Sequence, residues 1–271
     1  MPRPALLAFA LTLALMSLVS TSPAQEIVAH RGFSERAPEN TVAAFRLAWE
    51  SGTDACELDL YLTADQQIVA LHDADTKRTT GVSKLVKESS LADLRPLDAG
   101  SWKAPTYKGE PIPTLAESLA TLPEGKQRFF LEIKHDATIV PVLAKQLEAW
   151  KSRAAQLCII AFDRKVAQES KKAIPWMPVY RLSSEVTKDK KPVNLDTLIQ
   201  DTLDDGLDGL DLGRKWNWSP ELVQKVRAAG LKLFVWTVND ATEARRLASL
   251  GIDGITTDNP VTLREALASK P

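Results

Sequence analysis

Two histidines, four carboxylates, an arginine and a lysine fall at or near the ends of strand-like apolar runs. They are grouped as His30-Arg31-Gly32, Glu57-x-Asp59, His72-Asp73 and Glu132-x-Lys134. Such groups are costly to bury unless they pair with one another or hold an ion. Each residue type suits a different role. Carboxylates bind a divalent cation, cations bind a phosphate, and imidazoles move protons. That combination is phosphodiester chemistry.

Strand alternation puts Glu57 and Asp59 on one face and Cys56 and Leu58 on the other. Two inward carboxylates so close repel unless a cation lies between them. Glu132, from the next parallel strand, adds a third oxygen donor. Three carboxylates with water and substrate oxygens suit one divalent cation, Ca²⁺ or Mg²⁺, and the lack of a Cys/His cluster argues against structural zinc. The alternative is a metal-free buried network in which Glu57 and Asp59 pair with Arg31 and Lys134.

His30 ends the first strand, and His72 ends a hairpin run with Asp73 behind it. Both are expected to be catalytic, His30 as base and His72 as acid, with the roles reversible in a second step. Arg31 is expected to clasp a phosphate and Lys134 to add a point charge. Trp236, at the end of the seventh barrel strand, either lines the substrate pocket or packs the barrel. Glu39 either orients a ligand or caps the first helix, and His135 reads as a surface or helix-start residue.

These groups must be positioned by alternating strands and helices. Asn40 or Thr41 can cap a helix carrying Val42, Phe45 and Trp49 on one face. Thr114-x-x-Glu117 is a capping box, and Ser219-Pro220 a cap with an N1 proline. Gly206-Leu-Asp-Gly-Leu recurs as Gly251-Ile-Asp-Gly-Ile, with Gly52-Thr-Asp54 a looser copy, as a repeated αβ unit would produce. Nine strand candidates can be counted, but residues 63–67 are too few for a parallel crossover, which takes about a dozen or more. The Ile68–His72 run must therefore return antiparallel. Eight parallel strands remain, predicting a (β/α)8 TIM barrel with a β-hairpin extension after strand 2. Residues 73–113 fit no αβ unit and read as a small insertion at the barrel mouth.

The chain has 271 residues, 44% hydrophobic and 25% charged, with a net charge of −1, an ordinary globular balance that gives no support for nucleic-acid binding. Arg3, the uncharged run from Ala5 to Val19, and Ser22-Pro23-Ala24 read as a signal peptide spanning residues 1–24. The run is short of the roughly 20 residues of a membrane span, so no stable membrane anchor is expected. The predicted product is an exported protein, periplasmic or secreted, with its barrel domain at 25–271. Cys56 and Cys158 are expected to be buried thiols.

His30-Arg31-Gly32, residues 37–41 (Ala-Pro-Glu-Asn-Thr), Glu57-x-Asp59, His72-Asp73 and Glu132-x-Lys134 resemble the glycerophosphodiester phosphodiesterase family. The resemblance continues through residues 109–115, Trp236-Thr237-Val238-Asn239 and the 251–258 segment ending in Asp258, so it spans essentially the whole mature chain. It implies a barrel, a divalent metal, a two-histidine mechanism and a small-molecule glycerophosphodiester substrate, cleaved to an alcohol and sn-glycerol 3-phosphate. A lysophospholipase D or sphingomyelinase D-like headgroup hydrolase is the alternative activity.

Overall fold

The computed structural model describes residues 25–268. The expected signal peptide, residues 1–24, lies outside the described residues. Among those described, nine strands form one sheet: β1 (Glu26–Ala29), β2 (Ala55–Leu62), β3 (Ile68–Ala70), β4 (Arg128–Ile133), β5 (Leu157–Ala161), β6 (Val179–Ser183), β7 (Gly209–Gly213), β8 (Lys232–Trp236) and β9 (Gly254–Thr257). All but β3 run parallel, and pairing of β1 with both β2 and β9 closes an eight-stranded barrel.

The hairpin has a clear physical place. β1 pairs with β2 only as far as Ala29 opposite Cys56, whereas β2 continues to Leu62. The bare edge this leaves is covered by β3, antiparallel, with Leu60 opposite Ala70 and Leu62 opposite Ile68. That return brings His72 back down to the level of the acids on β2.

The sheet buries two layers. Val28, Phe130, Ile160, Leu182 and Phe234 fill the barrel interior, while Leu58, Leu131 and Ile159 pack outward against helices through Phe45 and Leu143. Cys56 lies in the outer layer and Cys158 in the inner one, both free and buried. The two thiols face opposite sides of the sheet.

Local chemistry explains the helix starts. Thr41, rather than Asn40, caps the helix Val42–Glu50 by accepting from the Ala44 amide. Thr114 and Glu117 form a reciprocal capping box, and Ser219 caps Pro220–Ala228. The repeated Gly-x-Asp units also share a function. Asp54, Asp208 and Asp253 each accept a backbone N–H from the start of a neighbouring strand, at Ile27, Val179 and Leu233. Each also meets a cation: Arg264, Lys171 and Lys232 respectively. They fasten the strand starts at the base of the barrel.

The insertion at 73–113 carries short helices at Lys77–Thr80 and Leu91–Leu94 over its own small core of Leu71, Val86, Leu94 and Ile112. Lys103 Nζ donates to Ser34 O (2.6 Å) and the Tyr107 hydroxyl to Arg36 O (3.2 Å). These bonds hold it against the loop after β1, at the C-terminal mouth of the barrel. Among the described residues, no helix is long and apolar enough to cross a membrane.

Candidate active site

Glu57 and Asp59 project from β2, and Glu132 lies directly opposite Asp59 on β4. The three are 2%, 1% and 8% exposed, and each offers an oxygen within 4.8 Å of the others. Burial first, then the neighbouring acids, raises the Glu57 pKa well above the usual carboxylate range and raises that of Asp59. Glu57 Oε1 and Asp59 Oδ1 have no hydrogen-bond partner, and Glu132 Oε1 is approached by the Lys134 ammonium at 2.9 Å. Buried, clustered and under-satisfied oxygen donors fit a hard divalent cation. The metal-free network is half realised, since Arg31 Nε stands 3.3 Å and Lys134 Nζ 3.7 Å from Asp59. Those pairs leave the orphaned oxygens unanswered.

The loop after β1 is shaped to reach this cluster. Arg31 takes a left-handed backbone conformation (φ 55°), and its N–H donates to Glu57 Oε2 at 2.8 Å. Gly32 follows with φ 78°, where a Cβ would lie 2.7 Å from the Ala44 backbone. Asn40, also left-handed (φ 56°), grips Asp59 from both sides. Its Nδ2 donates to Asp59 Oδ2 (2.7 Å), and its Oδ1 accepts from the Asp59 amide (3.0 Å).

The cations and imidazoles form connected chains. Arg31 pairs with Glu39 (2.9 Å), Glu39 with Arg78 (2.7 Å), Arg78 with Asp73 (2.6 Å), and Asp73 with His72 Nδ1 (2.8 Å). Glu39 is therefore a bridge between the first loop and the insertion. Burial works against the charge on Lys134, but Glu132, Asp59 and Glu57 outweigh it and raise its pKa. His72 Nε2 lies 3.3 Å from Lys134 Nζ, and because an ammonium only donates, a hydrogen bond between them has Nε2 as the acceptor. That arrangement suits the neutral tautomer with its proton on Nδ1 facing Asp73. Its pKa is lowered by burial, with Arg31 and Lys134 adding to the effect. His30 Nδ1 meets Asp258 Oδ1 at 2.6 Å. Burial pushes Asp258 upward, but bonds from His30, Asn239 and Ser34 outweigh it and hold its pKa at about 2.

A cavity of about 310 Å³ joins these parts. One wall is polar, made by His30, Arg31, Glu57, His72, Glu132 and Lys134. The facing wall is largely apolar, with Ile160, Phe162, Leu182 and Trp236, and contains one acid, Asp211. Every residue expected to act on substrate or metal thus converges on one cavity except Asp59, which adjoins it through Glu57 and Glu132. Trp236 is fixed by its indole N–H donating to Asp211 O (3.1 Å) and by an edge contact with Phe162. His135 stands outside, against Tyr61. A more open groove of about 510 Å³, lined by Val186, Lys188 and Arg214, meets the cavity at Trp236 and Thr237.

Sequence reasoning did not single out Asn40 as a partner of Asp59, Asp258 as the partner of His30, or Asp211. The first two stand within motifs that carry the family resemblance, so a signal existed for them. Asp211 had only its alternation along β7.

A parallel barrel with an oxygen-donor triad, two carboxylate-oriented imidazoles and two cations at its C-terminal mouth defines a phosphoester-processing barrel enzyme. Residues 30–262 match the Glycerophosphoryl diester phosphodiesterase family, and the chain belongs to it. It is 33% identical over 241 residues to the glycerophosphodiester phosphodiesterase of Caldanaerobacter subterraneus subsp. tengcongensis, covering 88% of this chain and 95% of that one. It is 28% identical over 280 residues to a lysophospholipase D of Rattus norvegicus, covering 89% and 85%. Its backbone is similar to that of an Oleispira antarctica phosphodiesterase solved with the product sn-glycerol-3-phosphate. That match has a TM-score of 0.81 and 28% identity, over 91% of this chain and 98% of the other.

Proposed function

We propose that this protein hydrolyses glycerophosphodiesters to an alcohol and sn-glycerol 3-phosphate, using a divalent cation, Ca²⁺ or Mg²⁺. The observation that carries the reading is the buried Glu57–Asp59–Glu132 triad, with oxygens within 4.8 Å, beside two cations and two imidazoles on one cavity. A cation held by those three acids would polarise the phosphate as a Lewis acid. Arg31 and Lys134 bind the phosphate oxygens and balance charge as it builds there. Trp236 and its apolar neighbours hold the carbon skeleton.

His30 and His72 are the acid–base pair. The geometry at His72 favours the reverse of the order the sequence suggested. A neutral imidazole with its Nε2 lone pair toward the cavity is set to take the proton of the attacking hydroxyl, whether from glycerol or water. His30, braced by Asp258, then gives a proton to the leaving oxygen as the phosphorus–oxygen bond to the alcohol breaks. If the glycerol hydroxyl attacks first, the roles exchange in the second step.

A lysophospholipase D or sphingomyelinase D-like activity is the second reading. It is favoured by the exposed Trp102, Phe162 and Val186, at 42%, 40% and 37%. The leader-like composition of residues 1–24 supports a periplasmic or secreted enzyme.

Purified protein incubated with glycerophosphocholine, glycerophosphoethanolamine and lysophosphatidylcholine, with and without chelator, tests both readings. Release of sn-glycerol 3-phosphate from the first two, abolished by chelator and restored by Ca²⁺ or Mg²⁺, is the expected result. Turnover confined to the lysolipid selects the second reading, and chelator-insensitive turnover rejects the cation.

A further inference from the structure

We infer that Asp211 is a specificity determinant that hydrogen-bonds a hydroxyl of the bound substrate from the wall facing the acidic triad. The inference rests on the proposed glycerophosphodiester reading, because glycerol is the hydroxyl-bearing half of that substrate.

Asp211 sits mid-strand on β7, opposite Leu182 and Phe234, whose side chains fill the barrel interior. It is 1% exposed and lines the cavity. Its Oδ1 is buried without a hydrogen-bond partner. It is not a member of the Glu57–Asp59–Glu132 group, so its oxygens are not part of that cluster. No ion pair with Asp211 is found among the described residues.

A structural aspartate is expected to have partners. Asp208, three residues earlier, has them, bonded to Lys171 Nζ (2.7 Å) and the Val179 amide (2.8 Å). Asp211 instead carries an unsatisfied oxygen among Ile160, Leu182 and Trp236, a costly arrangement for packing alone. Leucine would suit that wall better if the residue served packing alone. A ligand group that donates a hydrogen bond in an otherwise apolar pocket answers the orphaned oxygen. A quaternary ammonium has no proton to donate and leaves the oxygen unanswered. A hydroxyl donates to the carboxyl and adds no charge to the apolar wall.

The test compares sn-glycerol 3-phosphate with n-propyl phosphate, the analogue of the same length without hydroxyls. Their binding to the cation-loaded protein is measured by calorimetry. Wild type is expected to prefer the glycerol ligand, and Asp211→Leu to lose at least about tenfold of that preference, with propyl phosphate little changed. Asp211→Asn, which keeps a hydrogen-bonding group, should retain most of it. Should the leucine side chain prevent folding, Asp211→Ala is read instead. The inference is overturned if the leucine or alanine variant keeps the preference, if both ligands weaken equally, or if wild type has no preference. Loss of turnover on every glycerophosphodiester by wild type would instead sink the proposed function, since the binding comparison stands without catalysis.

Discussion

The base and the mouth of this barrel carry the same residue types and use them differently. At the base, Arg128 on β4 clasps Glu26 on β1 with two parallel bonds, Nε to Oε1 at 2.7 Å and Nη2 to Oε2 at 2.8 Å. Asp253 is answered there by Lys232 and the Leu233 amide. At the mouth, Glu57 and Asp59 sit deeper than Glu26, yet each keeps an oxygen that no donor reaches. Burial alone therefore does not distinguish structural from functional acids. Satisfaction does: the base closes its hydrogen bonds within the chain, and the mouth leaves bonding capacity for something the chain does not supply.

The contrast predicts opposite signatures. His30→Ala and His72→Ala should each lower kcat/KM by about a hundredfold or more, while costing no more than about 1 kcal/mol of stability, the loss at His30 coming from its bond to Asp258. Near-normal turnover in both would remove the mouth's claim to catalysis. The pH profile sharpens the assignment. As a base, His72 must be neutral, so activity is present above its lowered pKa and lost as pH falls through it. An acid limb below that of an ordinary histidine, abolished in His72→Ala, fits this order; loss on the alkaline side would restore the order first expected from sequence.

A base substitution should do the reverse. Burial, aided by Asp54 and Asp253, raises the Glu26 pKa even against Arg128, so desolvation outweighs what the arginine returns to that carboxylate. Arg128→Met would nonetheless strand a largely buried carboxyl. It should cost about 2 kcal/mol in chemical denaturation, below the range for fully buried pairs because both side chains retain some solvent contact. Turnover of the folded fraction should stay within about twofold of wild type, since Arg128 touches nothing in the cavity. A variant of wild-type stability, or one that is folded but inactive, would break the distinction drawn between the two ends.

Whatever depended on local pattern was legible in the sequence. The short spacing at 63–67 forced the hairpin, alternation placed Glu57 beside Asp59, and the Gly-x-Asp repeats marked the strand starts. The eight-stranded closure was legible too, from the strand count, but particular partnerships made through tertiary contact were not. Asp258 reaches His30 because β9 pairs with β1, a contact spanning 228 positions that no local rule anticipates. Asn40 looked like a helix cap, yet Thr41 takes the cap and Asn40 turns back to Asp59. Asp211 was hidden by its ordinariness, a single acid in the strand Gly209–Gly213. Its isolation shows only when Leu182, Phe234 and Trp236 surround it.

The smallest effect concerns Asp258, an acid at the mouth that, unlike the triad, is satisfied, and so should behave like a base residue in stability. Its folded pKa, about 2, lies below the value of about 3.9 for an unfolded aspartate. The unfolded chain therefore binds the proton first as pH falls. Stability from Asp258 is fully present above about pH 4 and is lost as pH drops toward 2. A pKa difference of that size would correspond to roughly 2.6 kcal/mol, but the side chain is 34% exposed, so solvent screening reduces it to about 1 kcal/mol. Asp258→Asn should flatten the acid side of the stability curve by that amount while retaining a hydrogen-bonding group near His30. Urea denaturation at pH 4 and pH 2.5 reads the difference. An unchanged slope would mean that Asp258 gains nothing from its bonds, leaving satisfaction a poor guide to which acids hold the fold.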